Sequence, residues 1–92
     1  MRLQMERETG LTMKTPPIAN ARRSISVLDR CIAQMLASRR DLSRDILAAK
    51  RKAGLPVLDA AREAQIASTY ETTAPGLSAV SQAILDWCRH ES

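Results

Sequence analysis

The chain has no phenylalanine, one tyrosine (Tyr70) and one tryptophan (Trp87), yet 45% of its 92 residues are hydrophobic. That apolar content is almost all aliphatic or alanine, which suits helix packed on helix better than a sheet. Its two cysteines, Cys31 and Cys88, are far apart and its one histidine is His90, so no zinc-ligand or redox spacing exists. The cysteines read as reduced thiols of a cytoplasmic protein, small apolar residues at or beside helix interfaces. Three glycines make no phosphate-cradling loop, and no nucleophile is paired with a base, so covalent catalysis, metal and cofactor are not expected. No apolar run approaches the ~18 residues of a membrane span, and the opening MRLQMERETGLTMKT lacks the apolar core of a signal peptide.

Breakers are also missing where they matter most. No proline falls between Pro17 and Pro56 and no glycine between Gly10 and Gly54, so the stretch from Asn20 to Gly54 reads as one uninterrupted helix. At roughly 34 residues it would run about 50 Å. A compact monomer of this size is only about 30 Å across, so the helix outruns its own domain. Ile25, Leu28, Ile32, Met35, Leu42, Ile46 and Ala49 recur at spacings of 3 and 4 and mark a stripe expected to be buried. Left protruding, that stripe would be wet unless a second chain covered it, and a dimer or larger partner is expected.

One position breaks the stripe. Between Met35 and Leu42 the residue that should complete it is Arg39, whose guanidinium either turns to solvent or faces an anion, because burying it unpaired would cost several kcal/mol. At 100° per residue Ser43, Ile46 and Lys50 fall within about 40° of Arg39, placing two cations three turns apart on a largely apolar face. Asn20 is the expected N-cap, and residues 1–19 are expected to form a disordered or extended lead before a single domain over residues 20–92. Arg22 and Arg23 sit in the first turns, where the helix dipole disfavours cations, and an anion from another chain would account for them.

Gly54 and Leu55-Pro56 end the first helix. Asp59 opens a second, Asp59 to Tyr70, as its N-cap or in its first turn, with Arg62 and Glu63 one turn on. A loop over Thr72 to Gly76 leads to a third helix, on which Leu77, Val80, Ile84, Trp87 and Cys88 make the apolar face and place Trp87 in the core. The formal charge of +4 points to an anionic partner. Few aromatics, and cations set beside acids as in Arg40-Asp41 and Arg44-Asp45, argue against nucleic acid. Fixed positive charge projecting from helices suits a polyanionic substrate that rearranges by itself once it is folded and polarised.

From Arg22 to Glu63 the chain resembles the all-helical, AroQ-type chorismate mutases. The resemblance rests on Arg22, Ile25, Leu28-Asp29, Arg39-Arg40, Lys50, Pro56-Val57, Asp59 and Arg62-Glu63, in one register without a gap. It implies an all-α fold of three helices per chain, intertwined as a homodimer through the long first helix. It also implies a [3,3] rearrangement of chorismate to prephenate, without a cofactor. By the same resemblance Arg39 and Arg62 bind the dicarboxylate substrate, and Arg22 enters from the other chain. Lys50 donates to the ether oxygen of the breaking bond, Glu63 accepts from the ring hydroxyl, and Asp59 supports it.

The third helix departs from the family pattern. Its serine falls at Ser92, and the Gln or Glu one turn later has no counterpart in the chain. Short family members are weak until a larger shikimate-pathway enzyme docks on them, and this chain is similar in length. An isochorismate-pyruvate lyase or a 4-amino-4-deoxychorismate mutase would use the same cationic pocket. Outside enzymes, the alternative is a basic helical dimer that binds nucleic acid or serves as an adaptor.

Overall fold

A computed structural model of the protein describes residues 15–90. They form three α-helices, α1 (Thr15–Ala53), α2 (Ala60–Thr73) and α3 (Leu77–Arg89), with no strand among the described residues. The chain divides between Gln34 and Met35 into two units, an N-terminal one carried by the first part of α1 and a C-terminal one holding the rest.

Helix α1 starts five residues before Asn20, the residue expected to cap it. Pro16 and Pro17 fall in its first turn, where a missing N–H removes no intrahelical bond. Asn20, already helical, accepts a hydrogen bond from the Arg23 guanidinium instead. The rest of the expected lead, residues 1–14, lies outside the described residues. At the other end Gly54 takes a left-handed φ of 71°. This turns the chain so that the Leu55 N–H reaches the Lys50 carbonyl at 2.8 Å and the Gly54 N–H reaches that of Arg51 at 3.2 Å. Lys50, Arg51 and Lys52 fill the last turn, where cations complement the helix dipole.

In the N-terminal unit Ile18, Ile25, Val27, Leu28 and Ile32 are all exposed. Met35, Leu42, Ile46 and Ala49, the rest of the stripe expected to be buried, are exposed too. Nothing among the described residues covers that stripe. In the C-terminal unit α1 turns a different face inward, with Leu47 buried and Leu36, Arg39, Arg40, Ser43 and Lys50 half-buried.

Helix α2 packs against α3, and the small core of this unit consists of Leu47, Leu85, Cys88 and the polar Ser81. The inward face of α3 is therefore rotated from the expected one, and Val80 and Trp87 are exposed. Ser81 is fully buried on that face, and its burial is tolerated because its hydroxyl donates to the Ser78 carbonyl at 2.6 Å, so its polarity is satisfied within its own helix. Trp87 has a partner at the rim instead. The Arg40 guanidinium lies 4.5 Å from its ring centroid and donates to the His90 carbonyl at 2.8 Å, tying α1 to the end of α3.

Helix α2 runs to Thr73, beyond the expected Tyr70, and the last turn of α2 also caps α3. The N-cap of α3 is Gly76, which has a φ of 88° and no side chain to bond the free N–H groups. Glu71 takes that role from α2, accepting from the Gly76 N–H at 2.8 Å and the Ser78 N–H at 3.0 Å. The Gly76 N–H foremost, with the Ser78 hydroxyl and N–H, holds the Glu71 carboxyl below its usual value.

Two stability measurements follow from these links. Arg40→Ala removes a charge-assisted hydrogen bond and a cation–π contact, while the Arg40 Nε, buried without an acceptor, offsets part of their value. The net loss should be about 1–2 kcal/mol in thermal or urea unfolding read by the fluorescence of Trp87. Glu71→Ala should lower the melting temperature at neutral pH. Because the folded carboxyl titrates below the unfolded one, its stabilisation is complete above the usual carboxylate value and is lost as pH falls through the folded value. Melting curves of the two proteins should therefore converge on acidification, and a gap that persists would mean Glu71 does not act through its charge.

Candidate anion-binding pocket

A cavity of about 310 Å³ opens in the C-terminal unit. Helix α1 contributes Arg39, Leu42, Ser43, Ile46 and Lys50 to its wall, and the connection after α1 contributes Val57 and Asp59. Helix α2 adds Arg62, Glu63 and Ile66, and α3 adds Leu85 and Arg89. The volume is at the lower end of the range for small-molecule sites, and the wall mixes five aliphatic residues with seven polar or charged ones.

The α1 wall follows from helix geometry alone, since 39, 43, 46 and 50 lie on one side of a 3.6-residue helix. The α2 wall is set by a cap. Asp59, at φ −133° and ψ 94°, is the N-cap of α2 and accepts from the Arg62 N–H at 3.0 Å, while its carbonyl accepts from the Glu63 N–H at 3.0 Å. One residue thus ends the connection, starts the helix and orients the first-turn residues Arg62 and Glu63. The alternative of Asp59 within the first turn is thereby resolved in favour of the cap.

Three of the four cations have only neutral partners among the described residues. Arg39 Nη1 donates to the Cys88 sulfur at 3.3 Å, Lys50 Nζ to the Val57 carbonyl at 3.4 Å, and Arg62 Nη1 to the Gln65 side-chain oxygen at 3.3 Å. The Lys50 and Arg62 contacts are long for a nitrogen–oxygen bond and a thiol sulfur is a weak acceptor, so each of the three is weak. The fourth, Arg89, forms ion pairs with Glu63 and, at 3.0 Å, with Asp86. Both carboxylates of the wall are therefore occupied, Asp59 by the helix N-terminus and Glu63 by Arg89. Among the described residues Arg39, Lys50 and Arg62 form no ion pair, and four cations against two carboxylates leave the wall with excess positive charge, an arrangement that suits an anion with more than one negative group.

Of the residues singled out in the sequence, the structure brings Arg39, Lys50, Asp59, Arg62 and Glu63 to this one cavity. Arg22 is exposed in the N-terminal unit and is not a lining residue. Ser92 lies outside the described residues. Sequence reasoning missed Arg89, and the register of α3 is what could have revealed it. With Leu85 facing inward, Arg89 follows it by four residues on the same side. Cys88, nearly sealed from solvent, was expected at a helix interface and there also accepts from Arg39, whereas Cys31 is exposed. Among the described residues no cluster of His, Cys, Asp and Glu could hold a metal ion, and no helix is long and apolar enough to cross a membrane.

Residues 21–90 match the family described as chorismate mutase type II, and the chain belongs to that family. No curated protein and no solved structure matches the chain.

The two duties of Asp59 can be separated by substitution. Asp59→Ala should cost about 1 kcal/mol in urea unfolding through loss of the cap, whereas Asp59→Asn, an equally good cap, should stay close to the original stability. Equal losses in both variants would mean the carboxylate charge, not the cap geometry, holds α2.

Proposed function

We propose that the protein is an isomerase, a chorismate mutase that converts chorismate to prephenate by a [3,3] rearrangement in the cavity of the C-terminal unit. The supporting observation is the set Arg39, Lys50 and Arg62, three cations around one aliphatic cavity whose hydrogen-bond partners are all neutral. The substrate is a cyclic dicarboxylate with an enolpyruvyl ether. Arg39 and Arg62 bind its carboxylates, exchanging weak neutral acceptors for charged ones. The aliphatic side chains of Leu42, Ile46, Val57, Ile66 and Leu85 surround the ring and hold it folded, so that the ends of the new carbon–carbon bond meet.

Lys50 supplies the electrostatic step. As the ether bond breaks, negative charge grows on its oxygen, and an ammonium already held at the wall stabilises that charge with little reorganisation. Glu63 accepts from the ring hydroxyl and fixes which face of the ring is presented. No proton is transferred and no covalent intermediate forms, so the reaction asks for no histidine base, and none lines the wall.

The active form we propose is a homodimer. The exposed stripe of α1 is the surface a second copy would cover, and Arg22 lies on it, four residues after Ile18 and three before Ile25. From that position Arg22 reaches the partner's pocket and adds a further guanidinium for a substrate carboxylate, completing a charge set that one chain leaves short.

Lys50→Ala should lower turnover of chorismate, followed by loss of its absorbance, by about 10²–10³-fold. It should leave the fold intact, because the only bond lost is the long one to Val57; an unchanged rate would remove Lys50 from the reaction. For Arg22, inactive Arg22→Ala and Arg39→Ala chains mixed into verified heterodimers should regain activity through one intact pocket. Heterodimers that stay inactive would place both arginines in the same pocket.

A further inference from the structure

The cations of the pocket divide into two kinds. Arg39, Lys50 and Arg62 rest on neutral acceptors that an anion can displace. Arg89 does not: its Nη1 is paired with Glu63 Oε2 and its Nη2 with Asp86 Oδ1 at 3.0 Å, so both ends of its fork are already taken by carboxylates. Releasing it to bind substrate would break two charge-assisted bonds and strand Glu63 beside the cavity.

We infer that Arg89 is a positioning residue, which holds the Glu63 carboxylate in the orientation that meets the substrate's ring hydroxyl and does not itself bind substrate. This rests on the mutase reading of the same pocket. The pair links α3 to the first turn of α2, and both side chains are under a third exposed, so solvent screens them only in part. Arg89 engages Oε2, which leaves Oε1 of Glu63 to accept from the substrate. The fork is rigid and planar and its other end is held by Asp86, so the nitrogen that meets Glu63 Oε2 is itself fixed in place. Its own backbone is anchored at the end of α3, where the His90 N–H bonds the Asp86 and Trp87 carbonyls and the His90 carbonyl accepts from Arg40.

The test is a double-mutant cycle read in kcat/KM for chorismate, with Arg89→Ala, Glu63→Gln and the two combined. Arg89→Ala alone should lower kcat/KM by about tenfold to a hundredfold. In the Glu63→Gln background the same change should cost less than about twofold, because the group through which Arg89 acts is already altered. Arg89→Lys should recover part of the loss, and it can carry the cycle if circular dichroism shows the alanine variant unfolded. Equal losses in both backgrounds, with the wild type active, would overturn the positioning role and assign Arg89 to the substrate or to the fold. A wild type with no turnover at all would contradict the mutase reading, and the positioning role with it.

Discussion

Uncompensated positive charge inside an aliphatic cavity is the constraint around which this chain is built. Arg39, Lys50 and Arg62 line one cavity, and each is held by a weak bond to a neutral acceptor. With Arg89, four cations meet two carboxylates around it, so the wall carries an excess of positive charge that suits an anion. Both carboxylates are held in place, Asp59 as the cap of α2 and Glu63 by Arg89. Membership of the chorismate mutase type II family is consistent with that physics, since a dicarboxylate whose ether bond breaks needs fixed cations more than acids or nucleophiles.

The scaffold that holds these charges is thin, and it relies on bonds between helices more than on a large core. Only Leu47, Leu85, Cys88 and Ser81 are buried in the described chain. Glu71 of α2 caps α3, Arg40 of α1 grips the end of α3, and Asp59 starts α2. The Arg40 and Asp59 bonds also fix a residue of the cavity wall or its neighbour. In a chain of this size a few such links are a large part of the net stability. The exposed aliphatic stripe on α1 is the apolar area that a small core would gain by self-association.

Much of this was legible in the sequence because one helix carries much of the information. Helix periodicity placed 39, 43, 46 and 50 on a single side, and all four line the cavity. The absence of proline and glycine gave the continuity of α1, and Asp59 carried the start of α2. Errors arose where a side chain's partner is distant or unusual. Ser81, whose hydroxyl is satisfied within its own helix, is buried on α3 although polar, and Leu85 is buried while Trp87 is exposed. The Arg89–Glu63 pair joins residues 26 apart in sequence and on different helices, beyond the reach of any local pattern. Pro16 and Pro17, read as breakers, are tolerated in the first turn of α1. The stripe of α1 was read correctly as apolar, but nothing among the described residues buries it.

The central claim is that this pocket turns a dicarboxylate enol ether into its rearrangement product, and product identification tests it most directly. Purified protein is incubated separately with chorismate and with isochorismate, and the products are separated and identified. The account predicts prephenate from chorismate, with no comparable release of pyruvate from isochorismate. Pyruvate released from isochorismate while chorismate persists would contradict it and assign the same cations to elimination instead of rearrangement.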